Sequence, residues 1–250
     1  MTVGTAMTGQ PVIEQIRERL QVAFAPSELE ILDEGHKHAG HAGEGKGHFH
    51  VSGRGHEALA ATGMQLPPDD YIVPYYRDRG LVLGRGVTTR QLALDYMAKR
   101  ESSSGGRQMP SHYSYRELNI WSVPTPTAAQ LLPACGMAWG MQLDGKKSLV
   151  VTTVGDAATR QGDFFEALCF AQERKLPMLF IVEDNGFGIS TPTRRTTPRA
   201  LSVLNEEQWR VLDGWDVEAV HAATETALAE IRAGGGPVLL WLKLERLSSH

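Results

Sequence analysis

The chain has 250 residues, 42% of them hydrophobic and 22% charged, enough to bury a full α/β core. Twenty-five Lys and Arg against 29 Asp and Glu leave a net charge of −4, which excludes a general pull toward nucleic acid or an anionic membrane surface. No stretch approaches the ~18 uninterrupted apolar residues of a membrane span, and the first ten residues lack the basic start and apolar core of a signal peptide.

Residues 1–10 are small and polar, a frayed start. Apolar residues at 12, 13, 16, 20, 23 and 24 predict an amphipathic helix over 12–24, ended by Pro26, and 29–32 reads as a short strand. Residues 33–50, DEGHKHAGHAGEGKGHFH, hold five of the nine histidines among many glycines. His36, His38, His41, His48 and His50 can be read as a metal site. A solvated Gly-rich loop fits as well, because no cysteine or fixed helical spacing orders those ligands.

At Ser52 the character changes. SGRGHEALAATGMQLPPDDYIVPYYRDRG reads as a capped helix, a Pro-rich turn and a strand ending in charges. Arg77 offers bidentate donors to a phosphate and cannot lose its charge, while a surface ion pair is the plainer alternative. His56 and Glu57 read as cap and support rather than as reacting groups. Residues 88–99 predict an amphipathic helix, 101–106 (ESSSGG) a flexible loop, and 122–138 a turn followed by a helix. His112, between those two, can meet a substrate or order its own loop. Cys135 and Cys169 both fall in apolar helical contexts and read as buried thiols, which suits a reducing, cytoplasmic setting.

The most informative stretch is GDAATRQGDFFEALCFAQERKLPMLFIVEDNGFGIS, from Gly155 to Ser190. An apolar, β-branched run ends at Val154, helical spacing covers 162–174, and a second apolar run, PMLFIV, stops at Glu183-Asp184-Asn185-Gly186. Parallel strands put their carboxyl ends on one side, where open α/β sheets bind ligands. Asp156 and Asn185 can therefore share one hard cation, and Mg²⁺ typically keeps positions open for cofactor phosphates. Gly155 lets backbone approach a diphosphate, and the following helix supplies N–H groups and a dipole.

Beyond it, 191–199 is a loop whose Arg194, Arg195 and Arg199 either meet acidic partners or are solvated. A strand over 216–220, a helix over 225–232 and a buried strand over 237–244 complete the pattern, with Gly234-Gly235-Gly236 as a helix stop. The fold class is α/β, a mostly parallel sheet flanked by helices.

Three resemblances attach to these residues. GDAATRQ…EDNG resembles the thiamine-diphosphate motif, with Ala157 where Gly is usual and Asp184 in place of a first Asn. The wider wording, from Ser52 to His250, is similar to the alpha-type half of the 2-oxo acid dehydrogenase first component, nearest to the branched-chain type. That likeness implies the thiamine-diphosphate-binding fold. It also implies decarboxylation of a 2-oxo acid, with the acyl group passed to a lipoyl domain of the acyltransferase. The implied cofactor contacts are Tyr76, Arg77, Thr125, Thr127, Gly155, Asp156, Ala157, Ala158, Asn185 and Arg246. Mg²⁺ would be held by Asp156, Asn185 and the Phe187 carbonyl, and His250 and His112 are the implied catalytic residues. The glutamate that activates the cofactor would lie on a beta-type half. Thr127 and Ala129 depart from the pattern, which carries a large aliphatic and a hydroxyl there, so a monovalent-cation site in this turn is not implied.

The third resemblance is to the start of the BolA family, in IEQIRERLQVAFAPSELEILDEGHKHAGHAGEGKGHFHV over about residues 11–51. It implies a small regulator that joins monothiol glutaredoxins in iron–sulfur handling, with His36 or His38 in the ligand loop. The family's second helix, last strand and later histidine are not found. The expected division is a BolA-like segment over 1–51 and a dehydrogenase-type domain over 52–250. The alternatives to the dehydrogenase are a BolA-type binding module and a transketolase-like thiamine-diphosphate enzyme.

Overall fold

A computed structural model describes residues 52–205 and 208–248. The expectations that fall on 1–51, namely the helix over 12–24, the strand over 29–32, the five-histidine loop and the BolA-like segment, lie outside the described residues, as does His250.

Five parallel strands form the frame. They are β1 (Tyr71–Val73), β2 (Val150–Gly155), β3 (Met178–Asp184), β6 (Trp209–Asp213) and β7 (Val238–Lys243), in the order β1-β2-β3-β7-β6. A two-residue antiparallel hairpin, β4 (Phe187–Gly188) with β5 (Thr191–Pro192), stands apart from the sheet. Val150–Val154 and Met178–Val182 are buried throughout, as expected of parallel strands covered on both faces.

Alternation along β3 divides the core. Leu179 and Ile181 pack with one cluster and Met178, Phe180 and Val182 with the other. The first cluster joins the sheet to Ala58 and Leu59, just before α1 (Ala60–Met64), and to α2 (Arg79–Arg85) and α6 (Val217–Arg232); the second joins it to α4 (Leu131–Leu143) and α5 (Gly162–Arg174). Helix α3 (Thr89–Tyr96) is started by a capping box between Thr88 and Gln91. Helices α1 and α2 touch through glycine. A Cβ at Gly63 would lie 2.1 Å from the Leu81 carbonyl oxygen, and one at Gly84 would lie 2.2 Å from that of Ala60.

Three expectations are corrected. Residues 216–220 are not a strand: Asp216 caps α6 by accepting from the Ala219 N–H at 3.0 Å, and the strand lies earlier, at Trp209–Asp213. The apolar 217 and 220 belong to helical, not alternating, spacing. Cys169 is exposed, because it faces outward on α5 while Ala167, Leu168 and Ala171 turn inward; Cys135 is buried. His56 makes no side-chain cap, its ring being turned inward instead. Among the described residues no helix is long and apolar enough to cross a membrane.

Candidate active site

The carboxyl ends of β1, β2 and β3 open onto one cavity of about 440 Å³. Each strand delivers residues just past its last hydrogen-bonded pair: Tyr75, Tyr76 and Arg77 after β1, Asp156 to Ala158 after β2, and Asn185 with Phe187 to Ile189 after β3. Ligands bind at such strand ends because backbone and helix termini converge there. The loop before α4 adds Thr125 and Thr127, and the 101–115 segment adds Met109 and His112.

A 3-10 turn over Asp156–Arg160 separates β2 from α5, so Gly155 leads into that turn rather than directly into the long helix. Gly155 packs on Tyr75, whose ring lies 3.5 Å from where a Cβ would be. Asp156 is buried and accepts a hydrogen bond from the Thr193 hydroxyl. Burial pushes its carboxyl up to about 7, against that hydrogen bond, and the neighbouring Asp184 carboxyl pushes the same way. Asp184 is itself held by the Trp241 indole N–H at 2.8 Å and the Gly186 N–H at 3.1 Å.

Asn185 is buried, and its Oδ1 accepts from the Phe187 N–H at 3.1 Å. Behind it lies a closed polar cluster. His56 Nδ1 meets Glu183 Oε2 at 2.5 Å, and the Tyr75 hydroxyl donates to the same oxygen at 3.3 Å. Burial, then the Arg77 guanidinium, lowers His56 to about 4, so this contact is a hydrogen bond from a neutral ring rather than an ion pair. Asp78 accepts from the Tyr75 N–H and the Thr153 hydroxyl. Burial, then the Glu183 charge, raises Asp78 well above the usual carboxylate range. Asp78 Oδ1 and Glu183 Oε1 are buried without a hydrogen-bond partner.

Arg77 is buried in the cavity wall, donates to the Ser52 carbonyl at 2.5 Å and stacks on Tyr76. His112 Nδ1 donates to the Pro110 carbonyl at 2.9 Å while the ring stacks on Tyr76, which leaves Nε2 bare. Arg246 is not part of the lining. It donates to the Ile189 carbonyl at 2.6 Å and lies over the Phe187 ring, bracing the hairpin that forms one wall. Of the residues singled out in the sequence, Tyr76, Arg77, His112, Thr125, Thr127, Gly155, Asp156, Ala157, Ala158, Asn185 and Phe187 share the cavity.

Sequence reasoning missed Thr193, Tyr75, Gln130 and the Asp78–Glu183 pair. Gln130 donates to the Thr153 carbonyl at 2.7 Å beneath the cavity floor. The sequence does carry a cue for two of them: Tyr75 and Asp78 flank the Tyr76-Arg77 pair, and charges that close a buried strand need buried partners.

The donor set suits a hard cation. Among the described residues no three His, Cys, Asp or Glu side chains are placed to hold a metal ion between them. Asp156, Asn185 and Phe187 line one cavity instead, and their carboxylate, amide and backbone carbonyl offer oxygens of the kind that Mg²⁺ takes. A buried carboxylate with a raised affinity for protons is also one that a divalent cation would return to its charged form.

Comparison with known proteins agrees with this geometry. The family described as "Dehydrogenase E1 component" matches residues 34–250. The chain is 31% identical over 245 residues, 96% of its length, to the mitochondrial 2-oxoisovalerate dehydrogenase subunit alpha 1 of Arabidopsis thaliana, covering 51% of that protein. It is 34% identical over 216 residues, 82% of its length, to the 2-oxoisovalerate dehydrogenase subunit alpha of Bacillus subtilis, covering 64% of it. It is 33% identical over 215 residues, 83% of its length, to the pyruvate dehydrogenase E1 component subunit alpha of Bacillus cereus, covering 55%. The chain thus spans about half to two thirds of the length of these curated relatives. A cavity at three parallel strand ends and a match over 34–250 lead to one assignment: the chain belongs to the dehydrogenase E1 component family.

Proposed function

We propose that this chain acts as the alpha-type half of a thiamine-diphosphate-dependent 2-oxo acid dehydrogenase, working with a beta-type half. The observation that carries the reading is the meeting of Arg77, Asp156, Asn185 and Phe187 in one cavity. Relatives named for 2-oxoisovalerate and pyruvate favour a 2-oxo acid substrate over a transketolase-type or BolA-type function.

Thiamine diphosphate, when bound, supplies the electron sink for decarboxylation. The chain's own residues do the holding. Asp156 and Asn185, with the Phe187 carbonyl, would keep Mg²⁺ on the diphosphate, and Arg77 would add a permanent positive charge from the opposite wall. Thr125 and Thr127 would border the cofactor's middle. His112 Nε2 would accept or return a proton at the substrate, and His250 is assigned the same kind of task from its place in the sequence. The beta-type half would supply the glutamate that activates the cofactor, and a lipoyl domain would take the acyl product. Two free thiols, Cys135 and Cys169, suit a reducing cytoplasm.

Calorimetry with the beta-type half present tests the proposal. Thiamine diphosphate should bind only with Mg²⁺, and Asp156→Ala should abolish that binding; unchanged affinity in the variant would sink the site assignment.

A further inference from the structure

His56 buries a ring behind Asn185 that no part of the proposed chemistry uses. It is 1% exposed and touches two elements at once: Nδ1 lies 2.5 Å from Glu183 Oε2 and Nε2 lies 3.3 Å from Asn185 Nδ2. Every proton in this chain of contacts has one consistent place. The Phe187 N–H points at the Asn185 side chain at 3.1 Å, so the atom it meets must be the amide oxygen. The amide nitrogen therefore faces His56 Nε2, and that ring nitrogen must be an acceptor. Nδ1 then carries the hydrogen, which is the tautomer that the Glu183 carboxylate selects. Tyr75, donating to Glu183 at 3.3 Å, holds the carboxylate from the other side.

We infer that His56 is a positioning residue for Asn185: Glu183 sets its tautomer, and the bare Nε2 holds the Asn185 amide with its oxygen turned to the Phe187 N–H and one lone pair left for the cation. The inference rests on the Mg²⁺–diphosphate reading of the cavity. Without the imidazole acceptor the amide can rotate, placing NH₂ where an oxygen is needed. Partners that orient metal ligands are commonly as consequential as this, with losses of roughly 10- to 100-fold in metal affinity when they are removed.

The test uses the assembled enzyme with its beta-type partner, titrated with Mg²⁺ at saturating thiamine diphosphate and followed by calorimetry. His56→Phe keeps the ring volume and loses both nitrogens; it should weaken Mg²⁺ binding by roughly 10- to 100-fold. His56→Gln offers one donor and one acceptor and should recover most of that loss. A phenylalanine variant that binds Mg²⁺ within about twofold of wild type would overturn the inference, since an orienting partner is worth more than that. Asp156→Ala, run in parallel, separates the two ideas: if it too leaves Mg²⁺ binding intact, the cation site itself is misassigned. Should His56→Phe fail to fold, nitrogen NMR of the labelled wild-type chain decides. Hydrogen on Nδ1 with a bare Nε2 is expected, and hydrogen on Nε2 would refute the arrangement.

Discussion

The methyl of Ala157 occupies the space in which a side chain at Gly188 would begin, since a Cβ added at residue 188 would lie 2.6 Å from Ala157 Cβ. One methyl fits between the turn after β2 and the β4 hairpin; two do not. That is a physical reason for alanine at 157, where the resembled motif carries glycine. Gly188→Ala should cost about 1–3 kcal/mol by overpacking. The double change Ala157→Gly with Gly188→Ala should recover at least about 1 kcal/mol of it through coupling. Urea unfolding of the four proteins measures this; equal losses in the single and double variants would remove the contact as the cause.

Burial and the Glu183 charge raise Asp78 well above the usual carboxylate range, which favours its protonated form. A folded-state pKa raised above the unfolded one contributes stability that is full below the ordinary carboxylate range and is lost as pH rises toward the folded value. Asp78→Asn keeps the shape and has no titrating proton, so it should remove that loss. Its stability relative to wild type should therefore improve as pH is raised from 5 to 8, on the order of 1 kcal/mol or more per unit of titration crossed. Asp78→Ala, which removes the acceptor of the Thr153 hydroxyl and one of the two acceptors of the Tyr75 N–H, should cost about 1–3 kcal/mol throughout. Flat, parallel pH curves for wild type and Asp78→Asn would contradict a raised Asp78 carboxyl.

Arg85 ties the sheet's edge to its helices. Its guanidinium donates to the carbonyls of Leu118, Leu66, Pro67, Pro68 and Asp70 at 2.5–3.1 Å. A lysine has three donors on a point charge and cannot span that fan. Arg85→Lys should lower stability by about 2–3 kcal/mol, taking roughly 1 kcal/mol for each bond lost. Mg²⁺ and cofactor affinity should not change, because the residue does not line the cavity. Thermal unfolding and the calorimetry described above make the comparison.

His112 separates binding from turnover. Its Nδ1 is engaged by Pro110 and its Nε2 is bare, so His112→Ala should leave cofactor affinity within a few-fold. It should lower turnover of the 2-oxo acid by about 10²–10⁴, the usual worth of a positioned acid or base. Steady-state rates of the assembled enzyme at saturating cofactor provide the check. A change confined to cofactor affinity would make His112 a loop-ordering residue only.

The ligand-bearing unit was legible because its signals were local. The apolar run to Val154, the helix over 162–174 and the run to Val182 each declare their period, and the polar residues stand just past the strand ends. Residues 216–220 were misread because a helix's first turn, DVEAV, alternates over so few residues that period two and period 3.6 coincide. The cap at Asp216, with Gly214 before it, was the better cue. What could not be read were contacts between distant segments. His56 with Glu183, Tyr75 with Glu183 and Thr193 with Asp156 span 127, 108 and 37 positions. No spacing in the chain announces them, since they exist only once the sheet has brought its strand ends together.

The strand order also sets a sequence of events in time. β2 pairs Val150 with Met178 across a single helix, whereas β1 pairs Tyr71 with Val150 and β3 pairs Leu179 with Val238. Closing the longer loops costs entropy before any contact rewards it. The β2–α5–β3 unit, like β6–α6–β7 with its Trp209–Leu239 pair, closes only a short loop, so the strand ends that carry Asp156 and Asn185 should pair before Arg77 or His56 docks. An early intermediate should protect the amides of 150–184 from hydrogen exchange while those of 71–77 still exchange freely.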